Sequence, residues 1–180
     1  MKVLNLQGVE ILDSRGNAGL GIIANSKNHS VFQSVPSGAS TGSKEAWENR
    51  DGDLKRYRGL GLLNSIQSIA EINTQLKNQD FKNIQELDFW LCEMDGTSKK
   101  EKYGANTLLS ISIACSELFA LEQNMTTARY LNQFNPLTMK IPSVMFNLIN
   151  GGLHACNDSL SVQEFMVIPH GIETFEEKIR

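Results

Sequence analysis

A glutamine and a glutamate stand side by side within an apolar run, Val162 to Ile168, in the stretch MFNLINGGLHACNDSLSVQEFMVIP from Met145 to Pro169. Burying an amide or a carboxylate without partners costs roughly 1–3 kcal/mol. Gln163 and Glu164 therefore mark either polar work at the edge of an apolar scaffold or a charge at a solvated strand end. Adjacent residues on a regular strand face opposite sides, so both can serve one site only at a strand end or a bulge. His154 follows Gly151 and Gly152 in the turn that separates this run from an earlier one, Met145 to Ile149. It reads as a ligand-facing group or as a loop histidine capping a turn.

A second stretch able to do chemistry is PSGASTG, residues 36–42. Its hydroxyls and backbone N–H groups could meet an anion or a metal, or it could be a connector with Ser43 capping a following helix. It is not a Walker loop: after Gly38 the next glycine, Gly42, comes one position early, and Ser43 rather than lysine follows it.

The elements that must position these groups are legible as patterns. VLNLQGVEIL, residues 3–12, alternates as a half-buried strand whose apolar parity switches around Gly8, which predicts a bulge at Gln7-Gly8. DSRGN, residues 13–17, is a turn by composition; GLGIIAN, KNHS and VFQSV then read as strand, turn, strand, completing an antiparallel meander. SKEAWENRD has a polar, helix-like texture. Leu62 to Lys77 and Ile84 to Met94 carry apolar residues at helical spacing, the latter stopped by DGT at 95–97, and 106–121 is apolar nearly all round, as in a core helix. Strands first and helices afterwards predict an α+β domain. Asn135-Pro136 to Pro142 marks the domain boundary, dividing the chain into 1–135 and 136–180. The second part holds about two strands and the start of a helix, too little to bury a core of its own.

Composition narrows the function class. The 180 residues are 41% hydrophobic and 21% charged with a net charge of −3, and the only basic grouping is the loose Lys99, Lys100, Lys102 set, which argues against a nucleic-acid partner. The three cysteines, Cys92, Cys115 and Cys156, are odd in number, widely spaced and without a CxxC, which fits reduced thiols better than a disulfide framework or a zinc site. The opening residues alternate rather than forming a signal-peptide core, and no stretch reaches ~18 uninterrupted apolar residues. The expectation is a cytoplasmic protein with no membrane partner.

Seven blocks, ILDSRGN (11–17), VPSGASTG (35–42), EAWENRDGD (45–53), DGT (95–97), YGAN (103–106), NLINGGLHA (147–155) and QEFMVIP (163–169), resemble in order and spacing the corresponding blocks of the enolase family. The resemblance covers essentially the whole chain. It implies a three-stranded antiparallel meander followed by helices, then the start of an incomplete (β/α) barrel. It also implies dehydration of 2-phospho-D-glycerate to phosphoenolpyruvate with Mg2+ as cofactor. Ser40 stands where the family has a serine ligand to magnesium, and His154 where a histidine reaches the substrate near its phosphate end. Gln163 and Glu164 stand where the family has a substrate-contacting glutamine and a glutamate beside the reacting centre, which makes His154 and Glu164 the catalytic candidates.

The family's catalytic lysine and acid, its three magnesium carboxylates and its phosphate-clamping arginine belong to barrel positions absent from these 180 residues, so the chain alone is expected to be inactive. The alternative is a non-catalytic, enolase-like interaction module. The family homodimer is implied, with its interface weakened here because Gly21 replaces a glutamate that contributes a salt bridge to it and because the barrel is truncated. One residue more than the family pattern stands between His154 and Gln163. In the loop it leaves the strand register from Val162 intact, whereas in the strand it turns every later side chain to the other face.

Overall fold

The computed structural model describes residues 2–38, 42–152 and 160–180. The opening alternation forms three strands, β1 (Asn5–Leu12), β2 (Ala18–Asn25) and β3 (Ser30–Val35), paired antiparallel in the order β1-β2-β3. The DSRGN turn between β1 and β2 is built by Asp13, whose Oδ1 accepts from the N–H groups of Arg15 (2.9 Å) and Asn17 (2.8 Å). Gly16 there takes φ +76°, which suits a residue without Cβ.

The predicted bulge at Gln7-Gly8 is absent: β1 pairs with β2 without interruption from Asn5 to Leu12. The parity switch has another cause. Leu6 faces the helices and is buried, whereas Val9 and Ile11 cover the outer face, where Gly21 and Gly19 make room for them. A Cβ on Gly21 would lie 3.0 Å from both Val9 and the Phe32 ring. Gly8 instead admits a helix, since a Cβ there would lie 2.8 Å from Ile69 and 3.3 Å from the Ile66 backbone.

Helices α1 (Leu63–Leu76), α2 (Ile84–Asp95), α3 (Ala105–Glu122) and α4 (Thr127–Asn132) follow. α1 packs on β1, and α3 packs on β2 and β3. The core joins Leu20, Ile22, Ile69, Ile72, Leu87, Ile111 and Leu118, all fully or nearly fully buried. α3 is the central helix, as its all-round apolar sequence predicts. α2 ends as DGT requires, with Gly96 at φ +70° donating its N–H to the Cys92 carbonyl (2.9 Å).

SKEAWENRD is not a helix, nor is Ser43 a helix cap; after a turn at 43–45 the chain runs on without regular secondary structure. Its backbone is claimed by the segment before α3 and by the first residue of α3: the Trp47 N–H donates to the Lys99 carbonyl (2.7 Å), and the Ala105 N–H donates to the Trp47 carbonyl (2.8 Å). Asn49 and Asn106 complete this link inside the protein. Asn106 Oδ1 accepts from the Asn49 N–H (3.0 Å), and its Nδ2 donates to the Asn49 carbonyl (3.1 Å) and to Ser65 Oγ (3.0 Å).

The chain divides into two compact units, one of Met1–Ser37 and Gly42–Pro136, the other including Leu137–Arg180. The second contains β4 (Phe146–Asn150) and β5 (Glu164–Val167), an antiparallel pair, and the short α5 (Phe175–Ile179). Thr174 caps α5 by accepting from the Glu177 N–H (3.2 Å). No closed barrel is present among the described residues, and the fold is α+β.

Candidate functional site

Gln163 and Glu164 lie at the mouth of the β4–β5 hairpin. Glu164 is the first residue of β5 and pairs with Asn150, the last of β4; Gln163 stands immediately outside the strand. That is the strand-end placement that frees two neighbouring side chains from strict alternation. The glycine turn is stitched to the same end: the Gly151 N–H donates to the Gln163 carbonyl (2.8 Å), and the Gly152 N–H donates to the Leu160 carbonyl (2.8 Å). A Cβ on Gly151 would meet the Val162 carbonyl oxygen at 2.2 Å, so only glycine fits. Glu164 is half-buried and Gln163 exposed. His154 and Ser40 lie outside the described residues, as does most of the CNDSLS stretch with its additional residue.

A polar pair that sequence reasoning missed stands on β4. Asn147 Nδ2 donates a hydrogen bond to Asn150 Oδ1, and the β4 register is irregular between Asn147 and Ile149. No local pattern announces this, because residues three apart on a regular strand face opposite sides.

In the first unit the base of the SGASTG loop is held by two arginines that pattern reading also missed. Arg15 Nη2 donates to the Ser37 carbonyl (2.9 Å), and Arg50 Nη2 donates to Ser37 Oγ (2.7 Å). Arg50 also spans the carbonyls of Ala18 (2.9 Å) and Leu60 (2.6 Å) and pairs with Glu48 (2.8 Å). A guanidinium can make so many directed bonds because its donors are planar and fixed.

The DGT and YGAN blocks meet at Asp95. This buried carboxylate accepts from the Tyr103 N–H (3.0 Å), the Thr97 N–H (3.1 Å) and the Thr97 hydroxyl. Burial pushes its carboxyl up, but the Thr97 hydroxyl and the two N–H groups, helped by the Lys100 charge, outweigh that and hold it below the ordinary carboxylate value. Gly104 takes φ +91°, and a Cβ there would lie 2.4 Å from Asn49 Cβ. These blocks therefore build scaffold. Among the described residues no three His, Cys, Asp or Glu side chains converge as a metal site, and no helix is long and apolar enough to cross a membrane.

An antiparallel meander with packed helices, joined to a second unit that presents a carboxylate at a strand mouth, defines an α+β protein of the kind the motifs describe. The family model described as "Enolase, N-terminal domain" matches residues 3–131, and "Enolase, C-terminal TIM barrel domain" matches residues 138–180. "Enolase 1" of Chlorobaculum tepidum (strain ATCC 49652 / DSM 12025 / NBRC 103806 / TLS) is 41% identical over 182 residues, covering 100% of this chain and 42% of that protein. "Enolase" of Legionella pneumophila (strain Lens) is 42% identical over 177 residues, covering 97% of this chain and 41% of that protein. The chain belongs to the enolase family, and it spans about two fifths of the length of the curated relatives it matches.

Proposed function

We propose that this chain serves the dehydration of 2-phospho-D-glycerate to phosphoenolpyruvate, with Glu164 as the carboxylate beside the reacting centre and Gln163 as a substrate contact. The observation that carries this reading is the strand-mouth placement of the two residues, with the glycine turn bonded to the same end. The proton to be removed lies next to a carboxylate and is weakly acidic. The intermediate is therefore multiply negative, and donors and charges fixed around it before it forms are what lower the barrier. In this reading Gln163 offers an amide N–H to a substrate oxygen, and Glu164 takes part in the proton traffic at the hydroxyl that leaves. His154 is assigned to the phosphate end of the substrate and Ser40 to the metal, both on the matched motifs alone.

Magnesium is the ion the family implies. The described residues do not fit it: Mg2+ is held through carboxylates, waters and substrate phosphate, and Glu164 has amide neighbours, not carboxylates, at its end of the hairpin. The 180 residues alone are therefore proposed to be inactive. Purified chain, given 2-phosphoglycerate and magnesium, is expected to form no phosphoenolpyruvate above the protein-free blank; metal-dependent product formation would overturn this. A cytoplasmic setting is part of the same reading, supported by the free thiols of Cys92 and Cys115. The family homodimer is proposed to be weakened, since Gly21, packed beneath Phe32, offers no carboxylate to a partner.

A further inference from the structure

We propose that Arg50 is a positioning residue for Ser40: its guanidinium fixes Ser37 at the base of the PSGASTG segment and so limits where the hydroxyl three residues on can stand. The proposal rests on the enolase-type reading of Ser40.

The sheet register shows why an outside hold is needed. The β2–β3 ladder ends with Leu20 opposite Val35, and two steps further the same register would set Ala18 opposite Ser37. The ladder cannot continue there, because Pro36 stands between and has no N–H to give. Arg50 bridges the gap instead. Its Nη1 donates to the Ala18 carbonyl (2.9 Å) and its Nη2 to Ser37 Oγ (2.7 Å), so one guanidinium joins the two residues that the ladder does not. The further bond from Nη1 to the Leu60 carbonyl (2.6 Å) ties the same side chain to the segment before α1. Arg15 adds a second hold, its Nη2 donating to the Ser37 carbonyl (2.9 Å).

A guanidinium beside a hydroxyl-rich segment could equally be read as a ligand for an anion. The donors decide against that for Arg50. Its two Nη atoms carry four N–H groups, and Ala18, Leu60, Ser37 and Glu48 use all four. Its Nε is buried, and the side chain is only 13% exposed. No outward donor is left for a substrate, whereas the planar fork is well made for holding backbone and hydroxyl together. The segment it holds is rich in glycine and small side chains, with much conformational freedom to lose and little surface to bury. Three residues span at most about 10 Å, so fixing Ser37 confines Ser40 within that radius.

The test has two readouts. In the 180-residue chain, amide exchange at Gly38 and Gly42 should quicken roughly tenfold in Ser37→Ala and in Arg50→Lys, the factor one charge-assisted hydrogen bond supplies, while exchange in α3 stays as in the wild type. Unchanged exchange at both glycines in both variants would overturn the anchoring. The second readout is phosphoenolpyruvate formation by the Chlorobaculum tepidum relative carrying these 180 residues in place of its aligned segment. There Ser37→Ala should lower kcat about tenfold or more, as misplacement of a working group does, with the urea midpoint unmoved. Ser37→Thr, which keeps the hydroxyl, should recover most of the rate. An active chimera indifferent to Ser37→Ala would overturn the positioning role and leave the enolase-type reading standing. A chimera inactive with the unchanged segment would overturn that reading, and the positioning role with it.

Discussion

Asp95 shows how a carboxylate within a matched motif block can be structural. Its carboxylate collects the Tyr103 and Thr97 N–H groups and the Thr97 hydroxyl inside the protein. Asp95→Asn would set an NH2 against one of these donors and is expected to cost roughly 1–3 kcal/mol in urea unfolding at neutral pH. The pH dependence follows from the direction of its shift. The folded carboxyl is held below its unfolded value of about 3.9, so its contribution is fully present above that value and is lost as pH falls through the lower folded one. Between neutral pH and pH ~3, wild type should therefore lose more stability than Asp95→Asn. Equal losses would contradict the assignment. Gln163 and Glu164 were legible as a polar pair in an apolar run. Asn147 and Asn150 were not, because their meeting depends on a bulge that no local pattern records.

At the scale of elements, what could be read depended on whether local pattern or distant partners decide the conformation. α1, α2 and α3 fall where apolar periodicity places them, because burial of one stripe, or of the whole surface for α3, stabilises each. Residues 46–53 have the composition of a solvated helix and form none, since Asn49 is claimed by Asn106, and Trp47 by Lys99 and Ala105. Asp51 belongs to the same long-range bonding. Leu62, the residue before α1, provides no side-chain cap, and Asp51 replaces it from a distance, accepting from the N–H groups of Leu63 (3.0 Å) and Asn64 (2.8 Å) and pairing with Arg56 (3.1 Å). Asp51→Ala is expected to lower stability by about 1–2 kcal/mol, the range for a lost cap. Asp51→Asn, which keeps an acceptor for the cap, should recover part of it. An unchanged urea midpoint in Asp51→Ala would show that α1 needs no such cap.

The two units differ in what holds them. Among the described residues the buried hydrophobic side chains lie between Val3 and Tyr130, whereas in the second unit Ile141 is 74% exposed and Leu148 67% exposed. Hydrogen exchange in the isolated chain should therefore be slowest in α3 and fast through β4 and β5, where little buried apolar surface protects the ladder. Slow exchange throughout Phe146–Val167 in a monomer would contradict this. The antiparallel meander, the helices after it and the strand pair near the end were readable from alternation and periodicity. The polar face of that pair was readable only where a side chain broke an apolar run. In the proposed function Glu164 works beside the reacting centre of an enolase-type dehydration. That role is tested most directly by replacing the aligned segment of the Chlorobaculum tepidum relative with these 180 residues and measuring phosphoenolpyruvate formation, with and without Glu164→Gln. Product is expected from the chimera, with a fall in kcat of at least ~10²-fold in the variant, the range for loss of a proton-transfer group. A folded chimera that forms no product, or one whose rate is indifferent to Glu164→Gln, would contradict it.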